Sequence, residues 1–156
     1  MKTVLFVCTG NTCRSSMAEA IMKKLVAEHP LLMGKVCVHS AGIYAAIGQG
    51  ASREAIKVVG EMGIDLSKHR TTLLEPEGIH QADLILTMTE SHRRLVVMMA
   101  PEASHKIFLL SQYAGETAAR DVMDPFNGSL QEYQSCAQQI QSLLEKVLGV
   151  RLDLLT

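Results

Sequence analysis

The sequence predicts an α/β fold in three layers, with a four-stranded parallel sheet between helices on both faces. Four short apolar segments alternate along the chain with segments of helical periodicity, which is the pattern of repeated strand–helix–strand units. Each apolar segment is continuous, as expected for a strand that is buried on both faces of a parallel sheet. Right-handed crossovers join such strands, and ligands bind at their carboxyl ends.

The first half of the chain supplies two strands and two helices. Residues 4–7 form the first apolar segment, and the periodicity of 17–28 predicts the first helix. A second strand is predicted at 36–38, and the small residues at 40–42 are expected to close it and open a loop. Ser52 is suited to cap the second helix, which Gly63 ends.

The second half adds two more strands and two more helices. A short turn over 75–80 precedes the third strand at 84–86. Thr89 is suited to cap a helix over 90–99, and the fourth strand follows at 106–109. After a loop over 115–128, the pattern Ser129-Leu130-Gln131-Glu132 forms a capping box that opens the last helix, with Gly149 as its expected stop.

Length and composition limit the possible classes of protein. The chain has 156 residues, 47% of them hydrophobic, which fits one domain over 1–149 with a tail, 150–156, that either frays or packs on the surface. A net charge of −1 provides no basic surface for nucleic acid or anionic lipid. No apolar run approaches the roughly 20 residues that span a membrane. Four cysteines without a close-set framework indicate reduced thiols, and we expect a cytoplasmic monomer.

A polar loop joins the first strand to the first helix, and it carries the strongest functional signal. Free amide groups and the positive end of a helix point into such a loop, which makes it an anion site. Gly10 is expected to take a positive φ in the turn. A cation at the start of a helix is disfavoured by the helix dipole, so Arg14 fits best if an anion lies there, held by the guanidinium fork. The remaining loop residues that would surround the anion are Thr9, Asn11, Thr12 and Cys13.

Cys8 lies at the base of this loop. Amide donors, the helix start and Arg14 would all favour its thiolate form, and a thiolate that faces a bound dianion suggests attack on phosphorus. Buried cysteines are usually inert, and that interpretation fits Cys37 in an apolar strand and Cys136 on a helix.

The loop sequence Val-Cys-Thr-Gly-Asn-Thr-Cys-Arg-Ser, with Met-Ala-Glu following, resembles the phosphate-binding loop of the low-molecular-weight protein phosphatases. The resemblance extends from Met1 to about Leu148 and implies their Rossmann-like fold. That family carries its general acid in the segment that matches Asp124-Pro125-Phe126. The resemblance therefore implies a cysteinyl-phosphate on Cys8, stabilisation by Arg14, and Asp124 as acid and then base. Because Arg14 and the loop amides supply the charge, we expect no metal and no cofactor. Asp121 is the obvious competitor for the role of acid.

The resemblance also assigns supporting residues. Asn11, Ser15, Ser40 and His69 match the residues that hold the loop and the nucleophile. Asn11 suits a left-handed backbone position, and the Ser15 hydroxyl can donate to the thiolate. Cys13 is either a partner for Cys8 in a reversible disulfide or a packing residue.

Four positions favour phosphoarginine over phosphotyrosine in phosphorylated protein substrates. The sequence departs from the tyrosine-specific members at Thr12, Thr72, Thr89 and Phe126, and in these respects it resembles the bacterial protein-arginine phosphatases. A small polar side chain at Thr12 can contact a guanidinium, whereas isoleucine would offer only apolar surface. The aromatic rings of Phe126 and Tyr44 would stack on the planar guanidinium of the substrate.

Three alternatives remain at this point. The first is a low-molecular-weight protein-tyrosine phosphatase. A thiol arsenate reductase would need two further cysteines near 82–89, where there are none. A binding module without catalysis would need neither Cys8 nor Asp124.

Overall fold

A single parallel sheet of four strands organises the protein, and the computed structural model describes all 156 residues. The strands follow the order β2-β1-β3-β4 across the sheet. Their bounds are Lys2–Cys8 for β1, Val36–Gly42 for β2, Leu84–Thr87 for β3 and Ile107–Leu109 for β4. The predicted α/β fold is confirmed.

Seven α-helices cover the two faces of the sheet. They are α1 (Arg14–Glu28), α2 (Arg53–Glu61), α3 (Pro76–Gln81), α4 (Glu90–Met99), α5 (Leu110–Tyr113), α6 (Leu130–Val150) and α7 (Leu152–Leu155), with a 3₁₀ helix at Pro101–Lys106. The larger core lies on the side of α1, α2 and α6, and it includes Phe6, Met17 and Tyr133. The smaller core lies under α3 and α4, and it includes Val7 and Val96. No helix has both the length and the apolar character needed to cross a bilayer.

Three helix caps agree with the sequence prediction. The side chains of Ser52, Thr89 and Ser129 accept hydrogen bonds from the amides of Ala55, His92 and Glu132, at 3.2, 3.1 and 3.2 Å. Each of these bonds satisfies an amide in the first turn of a helix, where no carbonyl of the helix can reach.

Three predicted boundaries were wrong, one of them because pairing across the sheet overrides local composition. Helix α1 begins at Arg14 and not at Met17, and the Met17 amide already bonds the Cys13 carbonyl at 3.0 Å. Strand β2 continues through 40–42, since these residues pair with Phe6, Val7 and Cys8 of β1. The predicted turn at 75–80 is the short helix α3, which begins with a proline at its first position.

The chain's end is also more ordered than its composition suggests. Helix α6 runs through Gly149 to Val150, where the sequence predicted a stop. Residues 152–155 form α7, and Leu155 is buried in the larger core. Arg151 lies over the ring of Tyr113, 5.3 Å from its centroid. The segment therefore packs against the larger core.

Candidate active site

The loop from Cys8 to Arg14 lies at the carboxyl end of β1, and Asn11 determines its shape. Asn11 has a φ of 59°, as the sequence predicted, whereas Gly10 does not have the positive φ that was expected of it. The buried Asn11 side chain donates to the hydroxyls of Ser15 and Ser40, at 2.8 and 2.9 Å. Its carbonyl oxygen accepts from the Thr72 amide at 2.9 Å. These bonds satisfy the whole side chain and leave it one orientation.

The amides of this loop form a set of free donors. Those of Gly10, Thr12, Cys13 and Arg14 donate to no group of the protein. Because they surround the start of α1, their positive ends add to that of the helix. The arrangement is suited to a tetrahedral dianion.

The sulfur of Cys8 lies at the base of the loop, with the residue 3% exposed. It is 2.9 Å from Ser15 Oγ, and the Asn11 amide donates to it at 3.3 Å. Both contacts can place a proton against the sulfur, and a thiolate accepts such bonds better than a thiol does.

Arg14 joins the loop to the segment that carries the two candidate acids. Its side chain is nearly buried, and Nη1 donates to the Val122 carbonyl at 3.2 Å. Nη2 lies 3.5 Å from Oδ2 of Asp124, whose side chain is 52% exposed. Asp121 faces elsewhere, since its carboxylate accepts from the Glu90 amide at 2.9 Å and caps α4. The structure thus brings Asp124, and not Asp121, to the arginine.

Close packing beneath the loop explains the glycine at the end of β2. A Cβ on Gly42 would lie 2.6 Å from the Thr9 carbonyl oxygen and 2.9 Å from the Asn11 amide nitrogen. The amides of Ile43 and Tyr44 bond the carbonyls of Cys8 and Thr9, at 3.0 and 2.9 Å. Only glycine lets β2 approach the loop this closely.

Exposed side chains form the rim of the site. Tyr44 and Phe126 are 72% and 62% exposed, and the Phe126 amide bonds Oδ1 of Asp124 at 3.1 Å. Thr12 is partly exposed, and its carbonyl accepts from the Ser52 amide at 2.9 Å. Of the other positions compared with tyrosine-specific proteins, Thr89 serves as a helix cap and Thr72 bonds Asn11 through its amide.

Comparison with known proteins identifies the family. The sequence profile of the low molecular weight phosphotyrosine protein phosphatases matches residues 3–153. The chain belongs to this family.

The phosphatase has relatives with two named specificities. It is 40% identical to a protein-arginine-phosphatase of Geobacillus stearothermophilus over 144 residues, which are 92% of each chain. It is 34% identical to the protein-tyrosine-phosphatase PtpB of Staphylococcus epidermidis, over 92% of this chain and 95% of that one. A solved structure of the YwlE arginine phosphatase, with a phosphorylated serine in place of the active-site cysteine, superimposes with a TM-score of 0.88 at 36% identity, covering 97% of this chain and 95% of that one.

Glu19 also supports the loop of the phosphatase, and the sequence analysis quoted it only as the Glu of Met-Ala-Glu, without a role. Ser40 donates a short hydrogen bond to the Glu19 carboxylate, which also lies 3.9 Å from His69 Nδ1. The other nitrogen of His69, Nε2, is 2.8 Å from the Asn11 carbonyl oxygen. His69 therefore reaches the loop as predicted. The contacts of Glu19 with Ser40 and His69 join residues far apart in the sequence, so no local pattern indicated its role.

His92 is the second residue that sequence reasoning missed. It lies in the first turn of α4, and its Nε2 is 2.8 Å from Thr9 Oγ1. Burial, with the nearby charge of Arg14, lowers the pKa of His92 to about 4. The two residues are 83 positions apart in the sequence, so no local pattern connects them.

The other three cysteines of the phosphatase differ in their surroundings. Cys13 is buried, with its sulfur 3.2 Å from the Tyr133 hydroxyl and 3.5 Å from Ser52 Oγ. Burial raises the pKa of the Cys136 thiol to about 12, so this cysteine stays protonated at neutral pH. Cys37 lies in β2, as predicted, with its sulfur 3.2 Å from His39 Nε2.

Proposed function

We propose that this phosphatase hydrolyses phosphoarginine in proteins through a cysteinyl-phosphate on Cys8. The observation that carries the proposal is the set of free amides in the loop between Cys8 and Arg14, with the Arg14 guanidinium 3.5 Å from the Asp124 carboxylate. The relative from Geobacillus stearothermophilus is named a protein-arginine-phosphatase, which supports this choice of substrate.

In the first step, the Cys8 sulfur attacks phosphorus and the bond between phosphorus and the guanidine nitrogen breaks. The Ser15 hydroxyl, 2.9 Å from the sulfur, stabilises the thiolate before attack. Arg14 and the loop amides bind the three equatorial oxygens, where negative charge is spread in the transition state. Asp124 gives its proton to the leaving nitrogen, so that neutral arginine leaves and takes up a further proton from water.

In the second step, water attacks the phosphorus of the cysteinyl-phosphate. Asp124, now a carboxylate, accepts the proton of that water, and the sulfur leaves as a thiolate. Phosphate is released and the enzyme returns to its first state. The half-exposed position of Asp124 lets it meet both the leaving group and water.

The rim of the site supports arginine as the substrate side chain. Thr12 offers a hydroxyl where a bulky aliphatic residue would offer only apolar surface and take up space. The exposed rings of Tyr44 and Phe126 can stack on a planar guanidinium. Tyrosine is the second candidate, favoured by the likeness to the tyrosine phosphatase PtpB.

The test compares phosphoarginine and phosphotyrosine in peptides of otherwise identical sequence. We expect the wild type to have the higher kcat/KM on phosphoarginine, and Thr12→Ile to shift the ratio toward phosphotyrosine. Thr117→Ile, at an exposed site in the loop after α5, is the matched control and should leave the ratio unchanged. Equal or greater wild-type activity on phosphotyrosine would defeat the arginine assignment.

A further inference from the structure

His92 contacts the residue that follows the nucleophile. The histidine is 6% exposed, and its Nε2 lies 2.8 Å from the hydroxyl oxygen of Thr9. Its other ring nitrogen, Nδ1, is the one buried side-chain nitrogen or oxygen of the protein without a hydrogen-bond partner. This asymmetry between the two nitrogens decides where the ring proton lies.

A neutral histidine carries one ring proton, and the pKa of about 4 means that His92 is neutral at pH 7. If Nδ1 held the proton, a buried N–H group would have no acceptor, which is rarer in proteins than an unfilled lone pair. The proton therefore belongs on Nε2, which donates it to Thr9 Oγ1. The pKa shows only that the ring carries a single proton, and the contacts of the two ring nitrogens determine which of them carries it.

This assignment determines the direction of the Thr9 hydroxyl proton. Since Oγ1 accepts from His92, the proton of Thr9 cannot point back at the ring. Thr9 is exposed, so its hydroxyl can turn toward the open side of the loop. The Thr9 carbonyl is held separately, by the Tyr44 amide at 2.9 Å.

The start of α4, together with Met88 just before its cap, also holds the segment that carries the acid. Asp121 accepts from the Glu90 amide at 2.9 Å, and the Val122 amide donates to the Met88 carbonyl at 2.8 Å. The first turn of α4 thus contacts Thr9 of the phosphate-binding loop through His92 and Asp121, before Asp124, through the Glu90 amide.

We propose that His92 is a positioning residue, which donates from Nε2 to Thr9 Oγ1, holds the phosphate-binding loop against α4 and leaves the Thr9 hydroxyl as a donor toward the phosphoryl group. The contacts to α4 stand on the structure alone, and the role of Thr9 in turnover rests on the proposed function. The tests of the two parts are therefore separate.

The tautomer is tested by nitrogen–proton correlation NMR of the histidine rings at pH 7, without any substrate. We expect a protonated Nε2 and an unprotonated Nδ1 for His92, and the Nε2 and Hε2 shifts should change in Thr9→Val. A protonated Nδ1, or ring shifts that ignore Thr9→Val, would overturn the proposal whether or not the protein has phosphatase activity.

The effect on turnover is tested with p-nitrophenyl phosphate, so that arginine or tyrosine preference does not enter. We expect His92→Leu and Thr9→Val each to lower kcat about tenfold, the size of one lost hydrogen bond to a buried group. Their combination should cost little more than either alone. His92→Gln, which can place an amide N–H near the position of Nε2, should recover most of the loss.

Two results of these assays would contradict the proposal. Losses that multiply in the double variant would show that the two side chains act separately. A kcat within twofold of the wild type in Thr9→Val would show that the contact does not serve turnover. If His92→Leu fails to fold, Thr9→Val, His92→Gln and the NMR assignment still decide the question. If the wild type turns over no phosphate ester, the proposed function fails and the NMR result alone decides for His92.

Discussion

Replacing Gly42 with alanine is the sharpest test of how β2 shapes the active-site loop. The new Cβ would lie 2.6 Å from the Thr9 carbonyl oxygen, and 2.9 Å from both the Asn11 amide nitrogen and the Ala45 Cβ. Ordinary contacts of a Cβ begin near 3.4 Å, so the strand or the loop must move by several tenths of an ångström. Two of the three atoms belong to the backbone and cannot rotate away.

The Gly42→Ala substitution should lower the free energy of unfolding and, more strongly, the catalytic efficiency. Overpacking of this kind costs about 1–3 kcal/mol, and in a domain of this size each kcal/mol lowers Tm by about 2–4 °C. The displaced atoms flank Cys8 and hold Asn11, which shapes the loop. A shift of about 1 Å in a catalytic group can cost about 100-fold in rate. Since the expected shift is somewhat smaller, we expect Gly42→Ala to lower kcat/KM by about 10- to 100-fold in a protein that still folds.

The assay measures kcat/KM and Tm for this variant beside Gly60→Ala. Gly60 lies in α2, and no atom comes within 4 Å of its added Cβ. The control should gain up to about 1 kcal/mol of stability, since alanine favours a helix, with unchanged activity. Wild-type kcat/KM in Gly42→Ala, with or without a fall in Tm, would refute the view that close packing at Gly42 sets the loop geometry.

The remaining predictions concern single titratable groups. Asp124→Asn should lower kcat on a phosphorylated peptide by about 10²–10⁴-fold, while Asp121→Asn, which can still cap α4, should change it by less than threefold; comparable losses in both variants would contradict the assignment of the acid. His92 has a pKa of about 4 in the fold and an ordinary value of 6.5 when unfolded. Below pH 6.5 the unfolded state binds a proton at His92 that the folded state does not. The stability that neutral His92 contributes to the fold is therefore complete above pH 6.5 and is lost as the pH falls toward 4. Between pH 7.5 and 5, the free energy of unfolding measured in urea should fall by at most about 2 kcal/mol through this group, and it should depend less on pH in His92→Gln. The same pH dependence in both proteins would contradict this prediction. Iodoacetamide at pH 8 should alkylate Cys8 before Cys136, whose buried thiol has a pKa of about 12, and peptide mapping that found the opposite order would contradict the account of the two thiols.

Long periodic segments were predictable from the sequence, and element ends were not. Helix α4 has the predicted bounds, because Thr89 caps it and Pro101 follows it. The start of α1 was placed too late because the apolar periodicity begins only at Met17, whereas the polar residues from Arg14 to Ser16 already form its first turn. The end of β2 was placed too early because small residues suggest a turn, while their pairing with β1 decides the strand.

The reactive residues of the candidate site were more predictable than the residues that hold the loop in place. A strand, a short loop and a helix place Cys8 and Arg14 together through local geometry alone. The left-handed residue was taken to be Gly10 as well as Asn11, but only Asn11, whose side chain has three partners, adopts that conformation. Glu19 and His92 act on the loop through side-chain contacts across the fold, which no spacing rule reveals.

The central claim is that Cys8 carries the phosphoryl group during turnover. Rapid acid quench during hydrolysis of a phosphoarginine peptide, followed by intact mass and peptide mapping, tests it most directly. The account predicts one added phosphoryl group on the peptide that contains Cys8, and neither that adduct nor turnover in Cys8→Ala. A phosphoryl group found on another residue, or turnover that persists in Cys8→Ala, would contradict it.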